Sequence, residues 1–296
     1  MPDGLWPERV YVFPYIHVVV CFSFRIYRDR SHQVPGSFLK PMQMSIELIR
    51  VENYHKTYGE TVAVAGLSFH VEAGQILGLI GPNGAGKTTT LRAIAGIILP
   101  TEGRLSVAGY DLATESVKAK QQLAYVPDDP KLFESLTPAE HLEFVAGAYQ
   151  VEEFSEKAKA LLELYELTEK KDSLAQELSR GMRQKVAVCC ALLHDPVAIL
   201  FDEPLTGLDP RAIRTLKNSI IEKSRQGAAV IISSHLLALV EDMCSHLLIL
   251  DRGRSRFWGT MAEVRNRFDD LSADVSLEEI FFRATEGDAA TVVPGS

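Results

Sequence analysis

The chain lacks the features of a metal cluster, a disulfide framework or a nucleic-acid surface. Its four cysteines have no metal-ligand spacing, and Cys189 and Cys190 fall in an apolar helical stretch, which is typical of core residues in a reducing compartment. Lysine and arginine number 31 against 39 acidic residues, and the formal net charge of −8 argues against a nucleic-acid partner. From Met44 onward there are no repeats and no low-complexity segments.

A long hydrophobic run is also lacking. The longest, Val10 to Phe24, contains Pro14 and His17 and falls short of the ~20 residues that a membrane-spanning helix needs. Acidic residues precede it and no small-residue cleavage site follows it, which argues against a signal peptide. We therefore expect a soluble or peripheral protein in which residues 1–43 are an extension outside the fold. A membrane-surface segment is the alternative for these residues.

Residues 81–88 form a complete G-x-x-x-x-G-K-[ST] motif between an apolar run and a helix-compatible stretch, Thr89 to Ile98, which is the context that a phosphate-binding loop requires. Its glycines let backbone N–H groups surround a polyphosphate, and the helix dipole adds positive potential. Lys87 is expected to contact the β- and γ-phosphates, and the Thr88 hydroxyl to bind Mg²⁺. A glycine-rich turn with a surface lysine would leave the filled motif and its context unexplained. The predicted nucleotide-contacting residues here are Gly81, Pro82, Asn83, Gly84, Ala85, Gly86, Lys87, Thr88 and Thr89.

A second motif ends the apolar run Val197 to Phe201. Asp202 and Glu203 follow this run directly, and Pro204 comes next. One carboxylate at such a strand tip usually holds Mg²⁺ opposite a phosphate loop, which is the role predicted for Asp202. Glu203 suits a general base that polarises the attacking water. A solvated acidic loop is the alternative, and the strand before it argues against that interpretation.

The order of apolar runs predicts an α/β fold. Short, uncharged runs in the second half are typical of parallel strands buried on both faces, and helical stretches such as Ala212–Arg225 connect them. The β-rich runs of the first half predict an antiparallel β lobe, and the middle predicts a helical insertion at about 125–190. Within it, Thr137, Pro138 and Glu140 predict a helix start with an N-cap, a proline at the first helical position and an early acidic residue. The predicted strands are Ile46–Glu52, Val62–Val71, Gln75–Ile80, Arg104–Val107, Val197–Phe201, Ala228–Ser233 and Leu247–Leu250.

The segment Leu178 to Lys185 lies between the phosphate loop and the carboxylates. Taken alone it is a capped helix start, with Ser179 as N-cap and Gly181 allowing close backbone approach. The order of all these elements, from about Ile46 to Thr260, resembles the ATP-binding subunit of ABC transporters. Residues 178–184 resemble the family's signature sequence, whose usual LSGGQ form appears here as LSRGM.

The resemblance implies further roles. Ser179 and Gly181 would contact the γ-phosphate of ATP bound to the other subunit. Asp209, in the sequence Leu-Thr-Gly-Leu-Asp-Pro at residues 205–210, would belong to the D-loop that crosses the dimer interface. His235 matches the switch histidine that contacts the γ-phosphate, and Tyr58 matches the aromatic residue that stacks on adenine.

The chain departs from the family pattern at two places. Asp128 occupies the position of a glutamine that approaches Mg²⁺ and the attacking water, so direct contact with the metal is expected of its carboxylate. Arg180 and Met182 replace the glycine and glutamine of the signature. These changes, and the tail at residues 276–283, resemble the ATPase subunits of bacterial drug, lipid or polysaccharide exporters whose membrane protein is a separate chain.

The resemblance therefore implies a P-loop NTPase of ABC architecture, with a domain at residues 44–262 and a partly ordered extension at 263–296. Its cofactors would be ATP and Mg²⁺, bound between two copies of the subunit. Its partners would be a second ATP-binding subunit and an integral membrane permease, with the chain peripheral on the cytoplasmic face. A soluble ABC ATPase acting on the ribosome or DNA is the alternative. A small-molecule kinase would leave the signature and His235 unexplained.

Overall fold

The computed structural model describes residues 46–267 and 276–286. The predicted extension at residues 1–43 lies outside the described residues, as does part of the extension predicted at 263–296. None of the helices in the described ranges is long and apolar enough to cross a membrane.

The larger sheet carries the phosphate-binding loop. Within the described ranges it has six strands: β3 (Ile76–Ile80), β6 (Leu123–Val126), β7 (Ala198–Asp202), β8 (Ala229–Ser233), β9 (His246–Asp251) and β10 (Arg254–Thr260). Their order is β10-β9-β3-β8-β7-β6, and all neighbours are parallel except β9 and β10. The parallel core predicted from the uncharged runs is thus confirmed. Since the phosphate loop follows β3, and Asp202 and Glu203 lie at the end of β7, both motifs are at the carboxyl edge of this sheet.

The smaller sheet is the predicted antiparallel lobe. Its order in the described chain is β2-β1-β4-β5, formed by β1 (Glu47–Tyr58), β2 (Thr61–Glu72), β4 (Glu102–Val107) and β5 (Tyr110–Asp111). Side chains that alternate along the parallel strands separate the apolar core into two layers. Leu77 and Leu79 of β3 pack with the antiparallel lobe, whereas Ile76 and Ile80 face the helices on the other side.

Helices cover both faces of the parallel sheet. The described helices are α1 (Lys87–Ile94), α2 (Ser116–Gln121), α3 (Pro138–Tyr149), α4 (Phe154–Leu164), α5 (Arg180–Leu193), α6 (Pro210–Arg225), α7 (Leu237–Met243), α8 (Met261–Arg267) and α9 (Leu277–Glu286). The start predicted for α3 is confirmed, because Thr137 and Glu140 form a reciprocal capping box and Pro138 begins the helix. The tail helix α9 buries Leu277 and Ile280 against the core.

Some element boundaries differ from those predicted. The helix after the phosphate loop ends at Ile94 rather than Ile98, because the chain turns at Gly96, which has a φ of 64°. The segment predicted as a helical insertion begins inside a strand, since Tyr125 and Val126 belong to β6 and pair with β7. The helical insertion, which contains α3 and α4, therefore begins only after residue 126.

Candidate functional site

The phosphate-binding loop connects β3 to α1. Gly86 is the N-cap of α1 with a φ of 104°, and a Cβ at this position would lie 2.8 Å from the carbonyl oxygen of Ala63. Only glycine fits both restrictions. No side chain caps α1 and its first turn has no acidic residue, so its first N–H groups and its dipole favour an anion.

Lys87 supplies a cation to this loop. Its side chain is buried, and its Nζ donates to the carbonyl oxygens of Gly81 at 2.7 Å and Pro82 at 3.3 Å. Burial lowers the pKa of Lys87, and the negative charges of Glu203 and Asp202 oppose that shift. The ammonium group therefore lies in the field of both carboxylates.

A cavity of about 290 Å³ brings most of the predicted residues together. Residues 83–89 of the loop form one side, and Asp128, Asp202 and Glu203 also line it. Gly81 and Pro82 are joined to it through Lys87. Tyr58, Ser179, Gly181 and Asp209 are not among the lining residues.

Asp202 ends β7 and is almost fully buried. Its Oδ2 accepts a hydrogen bond from the hydroxyl of Tyr125 at 3.3 Å. Burial, and to a smaller extent the negative charge of Asp202, raise the pKa of the Tyr125 phenol, so the hydroxyl stays protonated and remains a donor. Its Oδ1 is buried without a hydrogen-bond partner in the described part of the chain. A carboxylate oxygen left unpaired in this way, on a cavity that Thr88 also lines, fits the hard oxygen donors that Mg²⁺ prefers.

Glu203 is paired with His235. Its Oε2 lies 2.7 Å from His235 Nδ1 and also accepts from the His235 backbone N–H at 3.3 Å. The backbone N–H of Glu203 donates to the carbonyl of Ser233 at 2.9 Å, and its φ of 49° lies in the left-handed region, which is uncommon for a residue other than glycine. The base and switch residues predicted separately are thus in direct contact.

The signature segment begins α5. Ser179 is the N-cap predicted for this helix and accepts from the backbone N–H of Met182 at 3.2 Å. A Cβ on Gly181 would lie 2.6 Å from the carbonyl oxygen of Gly207, so the helix start and the D-loop touch backbone to backbone. Asp209 caps α6 through Ala212 and pairs with Lys185 at 3.3 Å.

Tyr58 lies at the exposed end of β1, and 49% of its surface is accessible. The ammonium of Lys56 lies 4.9 Å from the centroid of its ring, and this nitrogen also donates to the carbonyl of Leu99 at 2.8 Å. An exposed aromatic face supported by a cation suits stacking against a flat ring.

Two residues of the site were missed by the sequence analysis. Tyr125 supports Asp202, and Gln184 lies buried in α5, where its Nε2 donates to the carbonyl oxygens of Pro127 and Pro204 at 3.4 Å each. Polar side chains within apolar segments were the available signal, because buried polar groups are normally hydrogen-bonded to something specific.

A glycine-rich loop between a parallel strand and a helix, facing paired carboxylates, defines a P-loop nucleotide-binding protein. The sequence model of the ABC transporter family matches residues 64–206. The ABC-type transporter ATP-binding protein EcsA of Bacillus subtilis is 36% identical over 246 residues, which cover 82% of this chain and 99% of the relative. The chain therefore belongs to the ATP-binding proteins of ABC transporters, and this membership implies ATPase activity.

Two further comparisons agree. The Nod factor export ATP-binding protein I of Ralstonia nicotianae is 35% identical over 228 residues, covering 76% of this chain and 70% of the relative. A solved structure of the ATP-binding subunit of an ABC transporter superimposes with a TM-score of 0.77 and 36% identity, covering 80% of this chain and 99% of that one. The predicted α/β fold of ABC architecture is confirmed.

Proposed function

We propose that this chain hydrolyses ATP on the cytoplasmic face of a membrane and powers export through a separate integral membrane permease. Family membership supports the energy-coupling part of the proposal. Export is supported by the name of the Ralstonia relative, a Nod factor export protein, and by Asp128 and Arg180, which resemble the departures of exporter ATPases from the family pattern. The transported substrate would be selected by the permease.

In the proposed site, the backbone of the phosphate loop and Lys87 bind the triphosphate, and Tyr58 stacks on adenine. Thr88, Asp202 and Asp128 would hold Mg²⁺, which neutralises charge on the transferred phosphoryl group. The unpaired, buried Oδ1 of Asp202 is the observation that supports this metal role.

The Glu203–His235 contact carries the proposal of hydrolysis. A carboxylate at the cavity wall can accept a proton from, and orient, an attacking water. The 2.7 Å contact with Nδ1 fixes the orientation of this carboxylate and leaves Nε2 of His235 for a group beyond it, such as the γ-phosphate.

The active form would be a dimer with ATP bound between two copies. Ser179 is exposed and Gly181 is partly exposed at the start of α5, and neither lines the cavity of its own chain. These residues are therefore available to the γ-phosphate bound by a second subunit. We propose a homodimer in which hydrolysis separates the two copies and moves the permease.

The test is Glu203→Gln. Because the carboxamide keeps the shape but loses the base, we expect nearly normal ATP binding and a hydrolysis rate lowered by roughly 10²–10⁴. The variant should also form a dimer in ATP and Mg²⁺ that is visible by size-exclusion chromatography. Glu222→Gln, an exposed change on α6, is the matched control and should behave as wild type. Turnover near the wild-type rate in Glu203→Gln would exclude Glu203 as the base.

A further inference from the structure

The two departures from the family pattern are in contact with each other. Nη2 of Arg180 lies 3.0 Å from Oδ1 of Asp128, and it also reaches the carbonyl oxygen of Asp128 at 3.5 Å. Asp128 lines the same cavity as Thr88, Asp202 and Glu203. One carboxylate therefore borders both the signature arginine and the proposed metal edge of the nucleotide site.

Packing restricts where the Arg180 side chain can go. A Cβ on Gly207 would lie 3.5 Å from Arg180 Cδ and 3.7 Å from its Cγ, so the stem of Arg180 runs along the D-loop backbone. The residue also begins α5 directly after the Ser179 cap, which fixes its main chain. The guanidinium is thereby directed toward Asp128.

We propose that Arg180 competes with Mg²⁺ for the carboxylate of Asp128 and thereby sets the Mg²⁺ concentration that nucleotide binding requires. The inference rests on the proposed function, in which Asp128 is a metal ligand. A carboxylate paired with a guanidinium must give up that bond to coordinate a hard cation fully. The competition is adjustable because both side chains are about half exposed, 46% for Arg180 and 49% for Asp128.

The competition would link two parts of one subunit. Arg180 belongs to the signature at the start of α5, whereas Asp128 follows β6 of the sheet. Movement of the helix start away from the sheet would lengthen the ion pair and leave the carboxylate to the metal. The position of the signature would then change the metal affinity of the site in its own chain.

The experiment measures the Mg²⁺ concentration that half-saturates binding of a fluorescent, non-hydrolysable ATP analogue. Arg180→Gln removes the competitor for Asp128 and should lower this concentration. Because exposed ion pairs contribute little free energy, the expected decrease is only about two- to fivefold. Asp128→Asn should raise it, because a ligand charge is lost. In the Asp128→Asn background, Arg180→Gln should have no further effect, and Arg180→Lys alone should stay close to wild type.

Two controls separate this effect from general electrostatics. Arg211→Gln removes the same charge from an exposed pair with Glu166, whose atoms are 2.7 Å apart, and should leave the Mg²⁺ dependence unchanged. Analogue binding in EDTA reports any direct effect of Arg180 on the triphosphate. Denaturant unfolding of each variant checks that all are folded.

An Arg180→Gln effect that persists in the Asp128→Asn background would overturn the proposal, and so would an unchanged Mg²⁺ dependence in Arg180→Gln. Failure of the proposed function has a different signature: the wild-type chain would not bind the analogue, or Asp128→Asn would leave the Mg²⁺ dependence of binding unchanged.

Discussion

Replacing Gln184 with methionine is expected to weaken both the fold and ATP hydrolysis. Gln184 is 1% exposed, and its amide donates to the carbonyl oxygens of Pro127 and Pro204. Pro127 directly precedes Asp128, and Pro204 directly follows Glu203. A single side chain of α5 therefore ties together the two loops that carry the proposed metal ligand and the proposed base.

The structure gives the size of the effect. Methionine has a similar length but no donor, and each buried carbonyl left unsatisfied costs roughly 1–3 kcal/mol. Both hydrogen bonds are long, at 3.4 Å, and Oε1 of Gln184 has no partner in the described part of the chain, so its removal recovers some of the loss. We expect the free energy of unfolding to fall by about 1–3 kcal/mol in total.

Hydrolysis should fall further than nucleotide affinity. The substitution does not touch the phosphate loop, which binds the nucleotide, but it loosens the loops of Asp128 and Glu203. A misplacement of ~1 Å can lower a rate by about 10²-fold, so we expect a loss of roughly 10- to 100-fold in kcat. Denaturant unfolding, calorimetric titration with nucleotide and phosphate release measure the three quantities.

The matched control is Gln226→Met, which removes an exposed amide that donates to Glu222 at 2.9 Å. It should leave stability and kcat close to wild type. The reasoning would be refuted if Gln184→Met kept the wild-type kcat while losing stability, because Gln184 would then be a core residue without a role in holding the loops.

Three further predictions concern the ends, the partner and the pH response of the chain. A chain starting at Met44 should keep its ATPase activity and its Tm, whereas a loss of several degrees, more than ~1 kcal/mol, would show that residues 1–43 pack on the core. Phe133→Ala should leave basal ATPase activity unchanged but reduce the stimulation of that activity by the permease, because Phe133 is only partly buried on the loop after Asp128. An equal loss of basal and permease-stimulated activity would show that Phe133 is a core residue. Burial lowers the pKa of His194 from 6.5 to about 4, so as the pH falls the unfolded chain takes up a proton before the folded chain does. The free energy of unfolding should therefore decrease by up to about 3 kcal/mol as the pH drops from 6.5 to 4. His194→Phe should flatten this dependence in denaturant unfolding measured across that range, and a slope equal to the wild-type slope would contradict the assignment.

The sequence predicted strands well where burial on both faces requires continuous apolar residues. The run predicted at Val197–Phe201 is observed as β7 at Ala198–Asp202, and Ala228–Ser233 is observed as β8 at Ala229–Ser233. Strand β10 had no such signal. It is an edge strand that pairs only with β9 in the described chain, so Arg254, Ser255 and Arg256 stay exposed and interrupt any apolar run.

The parts of the site that could be predicted from the sequence are those formed by residues close together along the chain. The phosphate loop needs only consecutive residues, whereas the contacts around it depend on strand order. Tyr125 meets Asp202 across 77 positions and Arg180 meets Asp128 across 52. The first contact arises because β6 and β7 are parallel neighbours, and the second because α5 packs against β6. Nothing in the spacing of these residues fixes either neighbourhood.

The contacts of α5 differ in how readily they can break. Gln184 is buried at 1% exposure, while Arg180 and Asp128 form a half-exposed pair of a kind that contributes about 0–1 kcal/mol. A displacement of α5 relative to the sheet should therefore break the Arg180–Asp128 pair first, while the buried amide still holds Pro127 and Pro204. The N-terminal turn of α5 would then move while the rest of the helix, Gln184 to Leu193, stays buried in the core. Since that turn carries the signature, the weakest contact lies where a second subunit would act.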